Sequence, residues 1–437
     1  MSQLPPTTGP PIDAAARSRV LAWAMWDFGA TAINAIVITF VFTVYLTTTV
    51  GDDLPGDTSP ASWLGRALAL AGLVVALLAP VTGVLVDAPS RRRRALAVLT
   101  GLVVLFTASL SLIRDDHRYL WPGLVLLACT AACSELATVP YNAMLRELST
   151  PQTSGRISGI GLALGYFGSV LALLVVYLGF ISGDGDTRGL LGIPVGDGQN
   201  VRAAMLLVAA WFALFALPLL IFAPKNDAAP PPRVGFFGAY RRLWSDVRAE
   251  WRRDRNLVYY LGASAVFRDG LTGIFTFGAV LGVNVYGVSD ADVLLFGVAA
   301  CVVAALGAVV GGRFDDRVGS KTVIVASLSA LIAVGLTLMA VSGPLAFWVC
   351  GLLLCLFIGP TLSSARTLMM RMAEHGKEGV TFGLYTTAGR AATFLAPWLF
   401  SLFIDIFDSY RAGMAGLLLV VVAGLLLFLP VRAPHRI

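Results

Sequence analysis

Charge is scarce in this sequence. Only 13% of its 437 residues are Asp, Glu, Lys or Arg, about half the share of a soluble domain. A water-soluble enzyme or binding module is excluded on that ground. Histidine is scarcer still. His117, His375 and His435 fall in polar connections or in the tail, which argues against a histidine-based catalytic or zinc site. The five cysteines, Cys129, Cys133, Cys301, Cys350 and Cys355, sit inside apolar runs without metal-ligand spacing. They read as packing residues rather than disulfides. No Gly-x-x-x-x-Gly-Lys-Ser/Thr loop occurs, so ATP is not the direct energy source. No cofactor or metal is expected.

What fills the chain is apolar: 57% of residues are hydrophobic and the mean hydropathy is +0.79. Stretches of about 20 apolar residues follow one another, the mark of a polytopic helical membrane protein. The 45 glycines fit, because small residues let membrane helices approach closely. The expected fold class is an all-α membrane protein with twelve spans in two pseudo-symmetric six-helix halves. The spans are expected at about 20–47, 63–86, 95–113, 120–145, 155–181, 201–223, 257–283, 292–314, 322–342, 345–369, 380–404 and 412–430. The domains follow: a Pro-rich disordered N-terminus without signal-peptide features at 1–19, one half at 20–223, a linker at 224–256, the other half at 257–430 and a tail at 431–437.

An even number of spans puts both termini on one side. The connections on that side carry about 23 Lys or Arg, the opposite ones only Arg114, Arg118, Arg188 and Arg411. The positive-inside rule then makes both termini cytoplasmic. The net charge of +6 is this topology signal rather than a nucleic-acid footprint. With only 3 lysines among the 32 basic residues, the composition suggests a GC-rich bacterial genome, hence an inner membrane. The linker begins "APKNDAAPPPR" and continues "FFGAYRRLWSDVRAEWRRDRN". In it Phe237, Tyr240, Trp244, Val247 and Trp251 recur at three- and four-residue steps, with Arg241, Arg242, Arg248 and Arg252 on other faces. This predicts an amphipathic helix on the inner membrane surface, either a tether between halves or a regulatory docking site.

The halves repeat. "GVLVDAPSRRRR" after the second span parallels "GRFDDRVGSK" after the eighth, with Gly83 and Asp87 spaced as Gly312 and Asp316. Gly159 and Gly165 share the spacing of Gly383 and Gly389, and Pro140 to Arg146 matches Pro360 to Arg366. Repeated six-span halves imply a transporter with its site between them, near the midplane. An intramembrane enzyme would need His pairs, a Ser-His arrangement or paired aspartates. Only the last is loosely met, by Asp27 and Asp269, and the repeat argues against it.

"GRFDDRVGSK" resembles the signature loop of the major facilitator superfamily at Gly312, Asp316, Arg317, Gly319 and Lys321. The first copy departs from it, with Ala88 and Ser90 where the superfamily usually has Arg and Gly. Within the superfamily the chain resembles the vacuole-effluxer-like branch, whose eukaryotic members include autophagy-related amino-acid effluxers. Four segments carry the likeness: "WAMWDFGATAINAIVITFVFTVYL", "VPYNAMLRELSTPQTSGRISGIGLALGYFG", "FRDG" at Phe267 to Gly270, and "SSARTLMMRM" with "FGLYTTAGRAATFLAP". In the third, Asn is commoner in the branch than Arg268. The resemblance implies a secondary transporter working by alternating access as a monomer. It would export amino acids or related small metabolites, with or without a coupled proton. Sugar or cation symport, drug or lipid export, and a non-transporting sensor on the same fold are the alternatives. The resemblance also implies that the first, fourth, seventh and tenth spans line the pathway. Asp87 and Asp316 would stabilise the outward-open state.

Intramembrane charges are costly, at about 3 kcal/mol each, and usually functional. Glu135 lies midway along the fourth span, with Thr138, Asn142 and Arg146 on its face; Asp269 and Arg268 lie mid-seventh, and Arg390 mid-eleventh. Glu135 or Asp269 would bind the coupling proton, pair with Arg268 or Arg390 to hold helices together, or touch the solute. Arg268 and Arg390 could equally hold a carboxylate or phosphate. Asp27 lies about 10 Å from the cytoplasmic end of its span, with Trp23 and Trp26 beside it, which suit an interfacial belt. Thr31 and Asn34 continue its face inward. Asp27 and Asn34 are therefore expected at a cytoplasmic gate, Asp27 pairing there with Arg366 or Arg146 or standing hydrated. The glycine face Gly159, Gly161, Gly165 and Gly168 is expected either to meet Gly383 and Gly389 at that gate or to serve ordinary helix packing.

Overall fold

The computed structural model describes residues 14–55, 57–85, 89–148, 154–222, 236–373 and 378–433. Within these, the side chains of Arg146, Arg242 and Asp316 among others lie outside the description, as do Asp87 and most of the Pro-rich part of the linker. Twelve helical segments are long and apolar enough to cross a membrane: Ser18–Val50, Pro60–Thr82, Arg91–Leu112, His117–Met144, Ala163–Ile181, Gly196–Ile221, Arg255–Tyr286, Asp290–Asp315, Ser320–Ala340, Pro344–Met372, Gly383–Phe407 and Tyr410–Phe428. They are called spans 1 to 12 below, and each lies where the hydropathy pattern placed it. A two-stranded hairpin, Thr187–Arg188 with Ile193–Pro194, sits between spans 5 and 6; four residues are too few to leave a periodic signal.

Helices in lipid gain little from the hydrophobic effect against one another and depend on close packing. Span 1 is the most enclosed and packs on spans 5 and 6; span 8 packs on span 10, and span 7 on span 12. Glycines make these approaches possible. A Cβ at Gly161 would lie 2.5 Å from the Trp23 ring, one at Gly165 would lie 3.0 Å from Asp27 Oδ2, and one at Gly168 would run into the Phe28 carbonyl oxygen. Gly161, Gly165 and Gly168 of span 5 are thus occupied by span 1 and serve packing within the first half, while the surroundings of Gly159 lie outside the description. Gly389 instead lies against the Arg268 guanidinium, and Gly383 faces open space. Because backbone blocks the space at Gly168, Gly168→Ala is expected to lower stability by about 1–3 kcal/mol, read as a lower melting temperature in detergent.

Trp23 and Trp26 are also not interfacial. Both are buried, at 3% and 1% exposure, and Tyr141 of span 4 is sandwiched between them, with ring centroids at 4.6 and 4.4 Å. Trp23 Nε1 donates to the Tyr141 carbonyl and Trp26 Nε1 to Thr100 Oγ1, each at 3.1 Å. The physical reason is the enclosure of span 1. Its first turns are covered by neighbouring spans, so their aromatic rings meet protein instead of lipid headgroups.

Two spans are irregular. Span 1 turns π-helical over Asn34–Phe40 and again over Leu46–Val50, a distortion that concentrates at functional positions. Span 11 is broken into Glu378–Ala392 and Leu395–Phe407. Pro397 explains the break: its ring excludes the carbonyl of Thr393, four residues earlier, and it has no N–H to give. Thr393 then packs against Gly72 of span 2, where a Cβ would lie 2.8 Å from the Thr393 carbonyl oxygen.

The two halves meet along spans 2 and 11 and along spans 5 and 8. At the end away from the termini they are also latched. Phe40 of span 1 packs on Phe275 of span 7 at 5.6 Å and over Gly297 of span 8. Arg66 Nη2 of span 2 lies 2.5 Å from Asp405 Oδ2 of span 11, and Ser62 donates to the same carboxylate.

Candidate functional site

Where the π-helical stretch of span 1 and the break in span 11 face each other, the halves border a cavity. Its polar lining comes from Asn34 of span 1, Ser134 and Glu135 of span 4, Asp269, Thr272 and Thr276 of span 7, and Thr393 of span 11. Irregular backbone is tolerated at membrane depth where it borders such a cavity. The first half thus supplies one carboxylate and the second half the other.

The two carboxylates are held differently. Asp269 is buried, 5% exposed, and its Oδ2 accepts the Ala396 N–H at 2.7 Å. Ala396 is the second residue of the helix that restarts after the break, and its own N-cap residue, Phe394, provides no side-chain cap. Asp269 therefore caps the restarted helix from another span, satisfying one of its open amides and placing an acid at its positive end. Glu135 is half-buried, and its backbone carbonyl accepts Thr138 Oγ1 at 2.7 Å. Among the described residues neither carboxylate has a cation within 4 Å. The expectation that they are locked in ion pairs with Arg268 or Arg390 does not match this arrangement.

The arginines are not among the residues that line the cavity but lie beside it, Arg268 next to Asp269 in span 7 and Arg390 one turn before Thr393, whose Oγ1 donates to its carbonyl. Arg268 lies with its guanidinium 4.1 Å over the Tyr385 ring and donates to the Tyr385 carbonyl at 3.3 Å. It points away from Asp269, as a one-residue step on a helix requires. Arg390 reaches across the halves, Nη2 donating to Thr138 Oγ1 at 2.5 Å, while its Nε is buried without a partner among the described residues. An arginine with an open, desolvated donor is suited to a carboxylate or phosphate.

The remaining expected residues fall elsewhere. Asn34 lines the cavity rather than a gate. Asn142 is exposed and outside the cavity lining. Asp27 is half-buried against Gly165, and Thr31 Oγ1 donates to its backbone carbonyl at 2.8 Å. Arg366 is exposed and acts on Asp27 through space, without a salt bridge within 4 Å. The Arg146 side chain lies outside the described residues. Of the signature loops, Gly83 stands in the last turn of the Pro60–Leu85 helix, Gly312 faces open space, and Asp87 and the Asp316 side chain lie outside the description. Gly319 takes φ +90°, open to glycine, between spans 8 and 9. Arg317 is exposed, and Lys321 Nζ donates to the Leu429 carbonyl at the end of span 12 at 2.8 Å.

Sequence reasoning missed Asp315. It is 2% exposed, 2.7 Å from Arg371 Nη1 of span 10 and 3.0 Å from Ser320 Oγ. The signal was available: Gly307, Gly311 and Asp315 follow at four-residue steps, so Asp315 continues the small-residue face that packs on span 10. The latch at Arg66 and Asp405 was missed as well, because the two residues are 339 positions apart.

Comparison with known proteins agrees with this architecture. Residues 54–436 match the family described as "Vacuole effluxer Atg22 like". An uncharacterized MFS-type transporter, YxiO of Bacillus subtilis (strain 168), is 21% identical over 407 residues, 93% of each chain. Autophagy-related protein 22 of Yarrowia lipolytica is 23% identical over 306 residues, 63% of this chain and 50% of that protein. The chain thus spans about half the length of this fungal relative. Among solved structures, the inward-open xylose transporter XylE from E. coli superposes with a TM-score of 0.65 at 14% identity, covering 97% of both chains. The nucleoside transporter NupG gives 0.59 at 13% identity, covering 95% of this chain and 96% of that one. At such identities the structural likeness speaks for the fold, which is the major facilitator fold. The chain is a multi-pass membrane transporter rather than an enzyme, and it belongs to the vacuole effluxer Atg22-like family.

Proposed function

We propose that this transporter exports a small zwitterionic solute, an amino acid or a close relative, across the cytoplasmic membrane by alternating access. Both termini are cytoplasmic in this reading. The observation that carries it is the cavity itself. It lies between the halves and takes Glu135 from one and Asp269 from the other, while Arg390 crosses the same gap with an unsatisfied donor. A site with both signs of charge suits a solute with both, the α-carboxylate at Arg390 and the ammonium at Glu135. The family description supports efflux.

Proton coupling belongs to Asp269 or Glu135. Protonating Asp269 would remove the negative charge that caps the restarted half of span 11, so proton loading and the shape of the cavity wall are linked through one hydrogen bond. The closed end lies away from the termini, at Phe40 and at Arg66 with Asp405. At the other end Asp27 and Arg366 stand apart, and they are proposed to approach when that end closes. The arrangement is read as inward-facing.

The test is ligand-induced stabilisation of the purified protein by each amino acid, its decarboxylated amine and its deaminated acid. The reading expects the intact zwitterion alone to raise the melting temperature. Stabilisation by a sugar, or equally by amine and acid, would contradict it. The latch gives a separate prediction. The pair is partly exposed, so removing it should cost about 1 kcal/mol or less. Arg66→Ala is therefore expected to raise labelling of a cysteine introduced at Thr276 in the cavity wall, from the side away from the termini, by up to about fivefold.

A further inference from the structure

The linker helix Phe236–Arg253 takes no part in the cavity, yet its side chains sort into three stripes. One faces the protein: Tyr240 donates to the Leu77 carbonyl of span 2 at 2.6 Å, and Leu243 and Val247 pack on the core. On the next stripe Phe237, Trp244 and Trp251, seven residues apart, are 85%, 70% and 44% exposed. On the third, Arg241, Arg248 and Arg252 are exposed. At about 100° per residue the arginine stripe is centred about 60° from the aromatic one. The helix's acids are elsewhere. Asp246 projects from the opposite side, and Glu250 is buried and paired with Arg253.

Large rings this exposed, in a row on one helix, mark a contact surface. Their depth identifies the partner. Leu77 belongs to the apolar segment of span 2, and Tyr240 reaches it only with the tip of its side chain. The helix thus rests at the boundary between acyl chains and headgroups, where Trp and Arg are favoured. Charge then selects among lipids. The exposed stripes carry three arginines and no carboxylate, and Arg255 at the start of span 7 extends the positive edge, 5.8 Å over the Trp251 ring.

We propose that Phe236–Arg253 binds anionic phospholipid in the leaflet on the side of the termini. The aromatic stripe enters the acyl boundary and Arg241, Arg248 and Arg252 hold headgroup phosphates. Through Tyr240 the bound leaflet is tied to span 2, one of the walls of the cavity. The test is native mass spectrometry of the full chain with phosphatidylglycerol or phosphatidylcholine at equal concentration. The wild type is expected to retain at least threefold more phosphatidylglycerol. A protein carrying Arg241→Gln, Arg248→Gln and Arg252→Gln should show no preference, and the matching Arg→Lys protein should keep it. Equal retention by the wild type, or an unchanged preference in the Gln protein, would overturn the proposal. Should the Gln protein aggregate, vesicles containing brominated phosphatidylglycerol decide. Wild-type fluorescence should be quenched more than that of Trp244→Phe, and equal quenching counts against the proposal.

Discussion

Asp269→Asn is expected to leave the protein folded and to remove the response of transport to a pH gradient. An asparagine can still turn an oxygen to the Ala396 N–H, which Asp269 accepts at 2.7 Å. The break in span 11 is then preserved and its melting temperature changes little. What is lost is the charge, and with it the ability to exchange a proton. Asp269→Ala removes both. A lost N-terminal cap costs about 0.5–2 kcal/mol, and here the capped helix forms a wall of the cavity. The alanine protein is expected to melt lower and to transport less than about a tenth as fast, whatever the gradient. Transport driven by an imposed pH gradient, compared across the three proteins, checks this. If the asparagine protein keeps its full gradient response, the coupling proton sits elsewhere, and Glu135→Gln is the next protein to measure.

The second large effect is expected at Arg390. Its Nη2 donates to Thr138 across the halves while its Nε stays buried without a partner among the described residues. Removing one member of a buried, hydrogen-bonded charge interaction costs about 2–5 kcal/mol, or about 30-fold and upward in affinity. Arg390→Ala is therefore expected to raise the concentration for half-maximal transport at least 30-fold. Arg390→Lys should rescue it only in part, because an ammonium cannot offer the planar pair of donors that a carboxylate accepts. Thr138→Val is the control. It removes one ordinary hydrogen bond, worth about 1 kcal/mol, and should change transport by about fivefold or less. Equal effects of Thr138→Val and Arg390→Ala would mean that the arginine braces the halves rather than meeting the solute.

The legibility of this protein divides along physical lines. Spans are set by bilayer thickness, so a run such as that around Leu328 in span 9 announces itself by length alone. Lone charges inside such runs carry a free-energy cost that demands a reason, and Glu135 and Asp269 were found that way and share a cavity. Their partners were not legible. The Ala396 amide is backbone, exposed to a cap only because Pro397 interrupts the helix, and a main-chain donor has no letter in the sequence. Trp23 and Trp26 look alike whether they face headgroups or a tyrosine; the enclosure of span 1 by its neighbours decides. Asp315 and Asp316 are adjacent letters, and only the four-residue register with Gly307 and Gly311 marks the first as the buried one.

The central claim is that the charged cavity carries a solute across the membrane. Counterflow in proteoliposomes tests it most directly, with unlabelled amino acids inside and a trace of the same labelled amino acid outside. Wild-type vesicles are expected to accumulate label transiently and saturably, Arg390→Ala to need at least about 30-fold more solute for the half-maximal rate, and protein-free vesicles to accumulate none. Folded wild-type protein that accumulates no amino acid above the protein-free level, or accumulates it equally well with Arg390→Ala, would contradict it.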